Sequence, residues 1–371
     1  MKRLLFVTTV IKDENDGIWK KIKFNLYAYI KLGYIVDVAY RTTNGYVIEY
    51  NFGTLESDIS KVKELHKDLF FYFLAKKIDN KYDILYIRKP FGGASFIFLS
   101  CLINAVKKDN DSAKVIFEIP TYPYKDEIKI LKHKISEYLF IISKELYIKK
   151  IDLIVYMGNT QDCIWNRPSL KIANGIDLDH VPLLKTELNP IIDDNFTLIG
   201  VARLSFWHGY DRIINAIANY EGNTRIRLLI VGDGEPELTR LKELVKVKNI
   251  SHKVTFCGAK TGTNLDELYL QSHLCIDSLG RHRSGNLYNS SLKSKEYTAK
   301  GLPFIKSHID DSFVNCSFIY DVTANEDDIN IGKVIAWYKT LPTNLPLEMR
   351  HFAEAHLAWE KQCLKVLSFL Q

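Results

Sequence analysis

Two charged side chains, Lys293 and Glu296, stand three residues apart in the segment of the sequence with the clearest chemical pattern. Ser290 or Ser291 can cap a helix there, and Gly301 can close it. At this spacing the two side chains project from one face near the amino end of the helix. A cation and a carboxylate above free backbone N–H groups suit a ligand with a phosphate and vicinal hydroxyls. A solvated ion pair explains the same spacing equally well.

Charge is unevenly distributed along the 371 residues, which carry a formal net charge of +6. The first 185 residues contain 29 Lys and Arg against 22 Asp and Glu, so the excess lies in that half. Such an imbalance predicts an anionic partner or surface. Apolar residues also recur at helical spacing among lysines between Lys125 and Lys150. This segment is either a helix that lies on anionic lipid headgroups or, more commonly, a core helix with a wet lysine face.

Cysteine usage and the apolar runs indicate the cellular compartment. The six cysteines form no CxxC pair and no metal-ligand spacing, which is typical of reduced thiols in a cytosolic protein. The apolar run Leu4–Val7 is too short for a signal peptide, and no run reaches the ~20 residues of a spanning helix. We therefore expect a cytoplasmic protein, with peripheral contact at the inner face of an anionic membrane as an option.

The elements that position these residues alternate between short apolar strands and helices. The first strand is predicted over Leu4–Thr9, one of the helices over Lys61–Ile78, and the pattern starts again at Phe196–Val201 after a polar linker. This order favours an α/β fold with two tandem doubly wound (Rossmann-like) domains. Domains at 1–186 and 187–347 would face each other across a ligand-binding cleft.

Segments of the second half resemble, in the same order, the carboxyl-terminal domain of glycosyltransferase family four, whose members are retaining, metal-independent enzymes of the GT-B fold. The matching segments are Val201–Leu204 with Gly209–Asp211, Leu229–Gly234, Val254–Gly258 and Leu292–Pro303. The first half resembles the family only in outline, through Gly17 in the loop before the first helix. The resemblance implies that an amphipathic helix predicted over Glu348–Leu370 crosses back, so that the first domain would comprise 1–186 and 348–371.

The resemblance implies a nucleotide-sugar site in the second half, with Arg203, Lys293 and Glu296 as its catalytic residues. Sugar transfer leaves extra negative charge on the diphosphate, so fixed cations must face those oxygens. Arg203 matches the residue that holds phosphate oxygens, and Lys293 would add a second charge. Glu296 matches the glutamate that accepts hydrogen bonds from the ribose hydroxyls. The default donor is a UDP-sugar, and neither a cofactor nor a metal is expected.

Loops that contain glycine complete the expected donor site. Gly17 and the backbone from Gly258 to Lys260 would contact the nucleotide, and Gly234 would shape a turn that lines it. For Gly234, a strand-to-helix turn that needs only backbone freedom is an equal explanation.

Two positions depart from the family pattern. His208 stands where a lysine is common, and an imidazole carries charge only if the diphosphate favours its protonated form. Activity would then require low pH or depend more on Lys293. Tyr288 stands where the first of two glutamates is expected, so other groups must contact the sugar. These are predicted to be Arg283, for which an exposed loop charge is the alternative, and the backbone of Ser284, Gly285 and Asn286.

The first domain is expected to bind the acceptor. Glu118 and Tyr122 belong to a segment that offers a carboxylate, a hydroxyl and aromatic faces, which are groups that sugars contact. Arg88 lies at another predicted strand end and could meet an acceptor phosphate, although loop packing explains either feature as well. Asp177 and Asp179 mimic a metal-binding Asp-x-Asp, but they follow a turn signature, so a capping or loop role is expected.

These features predict a glycosyltransferase that moves a sugar from a nucleotide diphosphate sugar to a saccharide or polyprenyl-linked acceptor. Its pathway would be the synthesis of a capsule or another surface polysaccharide, and retention of configuration is implied by the resemblance alone. Two other functions stay open: a nucleotide-sugar epimerase of the same fold, and a non-catalytic scaffold of a polysaccharide assembly complex. Nothing in the sequence resembles a nucleic-acid-binding module.

Overall fold

The computed structural model describes residues 1–371 except 15, 64–65, 91–93, 125–130 and 286, and except the side chain of 132. The chain divides into two compact units. The first comprises Met1–Gly175 and Trp359–Gln371, and the second comprises Ile176–Ala358. Each unit has its own sheet and its own hydrophobic core.

The helices and strands follow one another in the alternating order that the apolar runs predict. In chain order they are β1 (Arg3–Ile11), α1 (Gly17–Lys31), β2 (Ile35–Thr42), β3 (Gly45–Tyr50), β4 (Asp58–Val62), α2 (Phe70–Lys77), β5 (Ile84–Arg88), α3 (Leu99–Asp109), β6 (Lys114–Tyr122), α4 (Leu131–Ser143), β7 (Leu153–Gly158), β8 (Cys163–Ile164), β9 (Arg167–Lys171), β10 (Asn195–Val201), α5 (Tyr210–Ala218), β11 (Arg225–Val231), α6 (Glu237–Val247), β12 (Val254–Gly258), α7 (Thr263–Leu270), β13 (Leu274–Ile276), α8 (Leu292–Lys300), β14 (Phe304–Lys306), β15 (Ile319–Asp321), α9 (Ile331–Lys339), α10 (Leu345–Phe352) and α11 (Trp359–Phe369).

The sheet of the first unit has the strand order β4-β3-β2-β1-β5-β6-β7-β9-β8. Its centre, from β2 to β7, is parallel, whereas β3, β4 and β8 pair in the antiparallel sense near the edges. The central strands are buried on both faces, as expected for a sheet covered by helices on each side. Helix α11 joins this unit and packs on α1, where Lys31 pairs with Glu360 at 2.8 Å.

The sheet of the second unit has the order β12-β11-β10-β13-β14-β15, and its described strands pair in parallel. The order reverses direction between β10 and β13, which is the switch point of a doubly wound sheet. The structure therefore confirms the predicted α/β class with Rossmann-like units. Among the described residues, no helix has both the length and the apolar content needed to cross a bilayer.

The helix predicted over Lys61–Ile78 starts too early. Helix α2 begins at Phe70, and Asp58–Val62 forms strand β4, while residues 64–65 of the predicted helix lie outside the described residues. Strands β2, β3 and β4 make an antiparallel meander, with a tight turn around Asn44 and Gly45 between the first two. An Asn-Gly pair between alternating strands is a strong hairpin signal, and it could have predicted the turn between β2 and β3.

The single helix predicted over Glu348–Leu370 is interrupted. Ala358, with φ −60° and ψ 140°, breaks it between α10 and α11. Helix α10 stays with the second unit, where the Arg350 guanidinium donates to the carbonyl oxygens of Leu178 and Val181 at 3.1 and 2.6 Å. Those contacts tie the segment after Gly175 to the second unit, so the compact units divide at 175–176 and 358–359 instead of at 186–187 and 347–348.

Candidate functional site

The carboxyl ends of β10 and β13 lie side by side in the second unit, because Gly200 and Ile276 are register partners in parallel strands. Arg203 follows β10 with an exposed side chain, and Asp277 follows β13 with a fully buried one. In open α/β sheets this edge is where ligands bind. The sheet therefore places a solvent-facing guanidinium and a buried carboxylate at its ligand-binding edge.

Two glycines after β11 hold the loop that carries Arg203. A Cβ added to Gly232 would lie 1.8 Å from the Ala202 carbonyl oxygen, and one added to Gly234 would lie 2.5 Å from that of Leu204. Both glycines have positive φ, at +127° and +138°. The positive φ of Gly234 requires the backbone freedom of glycine, and its missing side chain lets the Arg203 loop approach. Both explanations offered for Gly234 therefore fit this position.

Asp277 forms the centre of the site. Its Oδ1 lies 3.0 Å from the Lys293 ammonium and accepts the backbone N–H of Ser278 at 2.7 Å, while its Oδ2 accepts the Ser294 hydroxyl at 2.5 Å. Burial alone would raise the pKa of the Asp277 carboxyl, but the Lys293 ammonium, the His308 ring and the side chains of Ser291 and Ser294 hold the pKa well below its usual range. Asp277 is therefore ionised and fixes the position of Lys293.

Asp277 is a residue of the site that the sequence-based prediction missed. A usable signal was present, because an acidic residue directly after a short apolar strand lies at the edge where ligands bind in such sheets. The adjacency of β13 to β10, which brings it beside the Arg203 loop, follows only from the strand order.

His208 lies against the same centre. Burial of its ring, helped by the nearby Lys293 ammonium, lowers the pKa of His208 to about 3. Its backbone carbonyl accepts the N–H of Leu279 at 2.8 Å, which joins the loop after β10 to the loop after β13. The imidazole is neutral at physiological pH in the absence of a ligand. It therefore adds no positive charge at this edge of the sheet in the unliganded protein.

Helix α8 begins at this site. Ser291 occupies the predicted capping position in an extended conformation, but its side chain makes no capping hydrogen bond. Glu296 faces Lys300, whose Nζ lies 3.9 Å from Oε1 and instead bonds Asp266 at 2.6 Å. The Glu296 side chain is 27% exposed, so its carboxylate keeps the capacity to accept further hydrogen bonds.

The Arg283 guanidinium bonds to groups of the second unit itself. Its guanidinium donates to both carboxylate oxygens of Asp211 at 2.9 and 3.0 Å, to both of Glu326 at 2.7 and 2.6 Å, and to the Phe206 carbonyl at 3.0 Å. These bonds engage all of its donors. The geometry therefore favours a structural role for Arg283, which holds the loop after β13 to helix α5, over the predicted contact with a sugar.

The other predicted donor contacts are spread around the loops of the second unit. Ser284 is exposed and its hydroxyl donates to the Arg281 carbonyl at 2.7 Å, and Gly285 has φ +72°. Gly258 accepts the Gly232 N–H at 2.8 Å, while Lys260 is exposed. Asn286 lies outside the described residues. Tyr288, at the position of the missing glutamate, forms an isolated bridge with Ile309.

In the first unit, Glu118 and Arg88 are buried partners. They stand opposite each other on β6 and β5, and the Arg88 guanidinium bonds the Glu118 carboxylate. Lys21 Nζ lies 3.8 Å from the same carboxylate, and burial, reinforced by Arg88, lowers the pKa of Lys21 to about 7. The adjoining cavity measures about 10 Å³, which is room for one water molecule.

This closed environment argues against the predicted contacts of Glu118 and Arg88 with a sugar or a phosphate. The side chains of Glu118 and Arg88 are 5% and 9% exposed, and their charges neutralise each other. Two polar atoms of the cavity wall, Asn25 Oδ1 and Trp359 Nε1, have no hydrogen-bond partner within the described part of the chain. A bound water would satisfy both.

Three further positions complete the comparison with the sequence. Gly17 is exposed as the first residue of α1, which Asp16 caps by accepting the Ile18 N–H. Tyr122 is half-buried and packs against Tyr124 and Tyr156. Asp177 accepts the backbone N–H of Asp179 at 3.0 Å, a local turn that agrees with the predicted capping or loop role. Within the described residues, no group of three or more His, Cys, Asp or Glu is placed to hold a metal ion.

Part of the second unit matches a known protein family. Residues 186–278 match the family model of glycosyl transferases group 1. That segment contains β10 to β13, Arg203, His208 and Asp277. A search of curated protein sequences gives no match.

Solved structures resemble the whole chain at low sequence identity. Alr3699/HepE of Anabaena, in complex with UDP, has a TM-score of 0.64 and 13% identity, over 99% of this chain and 100% of that one. A glycosyltransferase of Rickettsia africae has a TM-score of 0.64 and 16% identity, over 100% and 97%. The catalytic domain of starch synthase IV of Arabidopsis thaliana, bound to ADP and acarbose, has a TM-score of 0.62 and 12% identity, over 100% and 98%.

At these identities the structural matches establish the fold, which is the two-domain GT-B type that the sequence predicts. The family match covers the part of the site that follows β10 and β13, with Arg203, His208 and Asp277, whereas Lys293 and Glu296 lie beyond it. Together, the family match and the fold support an enzyme that transfers glycosyl groups.

Proposed function

We propose that this protein is a retaining glycosyltransferase of family four that takes its sugar from a nucleotide diphosphate donor bound by the second unit. The observation that carries the proposal is the placement of Arg203 and the Asp277–Lys293 pair on neighbouring strand ends, beside the amino end of α8. A guanidinium, an ammonium and exposed N–H groups are what a diphosphate requires.

Each residue has a defined task in this mechanism. Arg203 holds phosphate oxygens through its planar fork, and Lys293, oriented by Asp277, neutralises the charge that develops on the leaving diphosphate. Glu296 accepts hydrogen bonds from the ribose hydroxyls. His208 donates or accepts one hydrogen bond as a neutral ring and becomes charged only if the diphosphate raises its pKa.

The donor is proposed to be a UDP-sugar, because UDP is the nucleotide in the HepE complex that this fold resembles. The acceptor is proposed to be a saccharide or a polyprenyl-linked saccharide bound by the first unit, within the synthesis of a surface polysaccharide. Retention would proceed by front-face displacement, in which the leaving phosphate helps to deprotonate the acceptor hydroxyl. A covalent glycosyl adduct trapped on a side chain would contradict that mechanism.

A thermal-shift panel of UDP, ADP, GDP and their sugars tests the proposal, since a ligand raises the melting temperature by mass action. We expect one nucleoside diphosphate to stabilise the wild type, and Arg203→Ala to lose most of that shift and the turnover of the matching nucleotide sugar. Arg225→Ala removes an exposed arginine at the opposite end of the sheet and should behave as wild type. No shift with any nucleotide, or equal shifts in both variants, would refute the donor site. Release of an epimer from donor alone would instead identify an epimerase.

A further inference from the structure

Helix α4 has its large apolar residues on the outside. Its buried side chains are Ser136, Phe140 and Ser143, at 7%, 1% and 6% exposure. The opposite face is apolar and exposed, with Leu131 at 71%, Ile135 at 56%, Tyr138 at 64% and Ile142 at 55%. A helix of a protein core has the reverse arrangement, so the sequence-based preference for a core helix is wrong here.

The exposed residues form one stripe. At 100° per residue, the spacing of four, three and four between Leu131, Ile135, Tyr138 and Ile142 keeps them within about 60° of one direction. Leu139 and Ile141 flank the stripe, and Leu146 extends it beyond the helix at 60% exposure. We call this set of seven side chains the α4 face.

The charges around the α4 face are predominantly positive. Glu137, the only acidic residue of the helix, turns inward, where it accepts the Tyr124 hydroxyl at 2.5 Å and the Lys89 ammonium at 2.9 Å. Lys134 is exposed on the same helix, and Lys149 is exposed six residues beyond its end. Glu145 is also exposed, but it pairs with Lys144.

We propose that the α4 face docks the protein on an anionic lipid bilayer, with the helix axis parallel to the membrane surface. Aliphatic side chains and a tyrosine would enter the boundary between headgroups and acyl chains, while lysines meet the anionic headgroups. With 13 residues, α4 is far shorter than the ~20 residues of a spanning helix, so it lies on the membrane.

The size of the face favours a membrane over a second copy of the chain. A helix of 13 residues is about 20 Å long and about 10 Å wide, so its face offers roughly 200 Å². A stable protein interface needs about 800 Å² from each partner. A bilayer needs no shape complementarity and accepts a single convex helix, and the lysines at the rim complement its charge.

The test is co-sedimentation of the full chain with vesicles made of equal parts phosphatidylglycerol and phosphatidylcholine. Wild type should bind, and Ile135→Asp with Ile142→Asp should reduce partitioning by at least about tenfold, because two buried aliphatic side chains are lost and two like charges are added. Val247→Asp adds one such charge at an exposed aliphatic position of α6 and should bind as wild type. All three mutated side chains in these variants are more than half exposed, so the melting temperatures should match.

A second variant separates the lysines from the apolar stripe. Lys134→Glu with Lys149→Glu should weaken binding to the anionic vesicles and leave the weaker binding to pure phosphatidylcholine vesicles unchanged. Wild-type binding that survives the aspartate substitutions would overturn the proposal. So would a dimer in solution that the same aspartate substitutions convert to a monomer, since the face would then belong to a second copy.

Discussion

Glu118 in the first unit and Asp277 in the second are both buried carboxylates that meet cations near the carboxyl ends of parallel strands, yet their surroundings differ. Glu118 is enclosed with Arg88 and Lys21, which are 9% and 10% exposed. The side chain of Lys293, the partner of Asp277, is 22% exposed, and its buried Nζ has no hydrogen-bond partner within the described part of the chain. The same charge pattern therefore lies inside the core in one unit and at the edge of the sheet where ligands bind in such folds in the other.

The supporting bonds differ as well. Asp277 also accepts hydrogen bonds from the Ser278 backbone and the Ser294 hydroxyl, which do not depend on Lys293. The Glu118 carboxylate is held chiefly by the two buried cations. Removing a charge from the first cluster should therefore cost stability, and removing one from the second should cost ligand affinity.

The largest effect is expected for Glu118→Gln, which leaves Arg88 and Lys21 buried without a carboxylate. Breaking a buried pair in this way costs about 3–5 kcal/mol of the free energy of unfolding. Urea denaturation measures the loss, and nucleotide binding should be unchanged under conditions where the variant is folded. Glu56→Gln, at an exposed position of the same unit, is the matched control. A loss below about 1 kcal/mol would mean that solvent reaches the cluster and that the contrast with Asp277 fails.

Lys293→Met should reduce the affinity for the nucleotide more than it reduces the stability of the fold. A hydrogen bond to a charged group is worth about 1.5–3 kcal/mol, so affinity for the nucleoside diphosphate should fall about 10- to 150-fold. Stability should fall less than in Glu118→Gln, because Asp277 keeps its other donors. Calorimetric titration measures the affinity, with Lys246→Met as an exposed control on α6. Equal affinity in variant and wild type would remove Lys293 from the diphosphate site.

The sequence alone predicts the order of the elements and part of the site in the second unit. The order of strands and helices follows from apolar runs, and the spacing of Lys293 and Glu296 predicts that both project near the start of one helix. What sequence reasoning missed depends on contacts between distant residues. Arg283 binds Asp211 and Glu326, which are 72 and 43 residues away, and no local pattern indicates such partners.

Helix α4 is a second feature that the sequence alone could not predict in full. Periodicity identifies a helix with an apolar stripe, but it does not tell whether the stripe faces a core or the outside. The decision depends on which side the neighbouring elements cover, and here they cover Ser136, Phe140 and Ser143.

The titration of Lys21 should make the stability of the fold depend on pH. Its pKa is about 7 in the folded protein, below the ordinary lysine value, so between pH 7 and pH 10 the unfolded chain binds more protons at this position. The contribution of Lys21 therefore makes stability rise with pH across that window. Lys21→Met should remove this rise, with a difference from wild type of about 3–4 kcal/mol between the two ends of the window. Thermal unfolding across the window measures it, and parallel curves for the two proteins would contradict it.

The smallest effect concerns His208. Its pKa is about 3 in the folded protein, so as pH falls from 6.5 toward 3 the unfolded chain takes up a proton that the folded chain refuses, and stability falls. His208→Asn should remove about 1–2 kcal/mol of that acid loss at pH 5. A diphosphate bound beside the ring would raise the pKa of His208, so nucleotide binding at pH 5 should be accompanied by proton uptake in wild type and not in His208→Asn. Calorimetry in buffers of different ionisation heat measures that uptake. Proton uptake of equal size in both proteins would place the diphosphate away from His208 and leave its binding to Arg203 and Lys293.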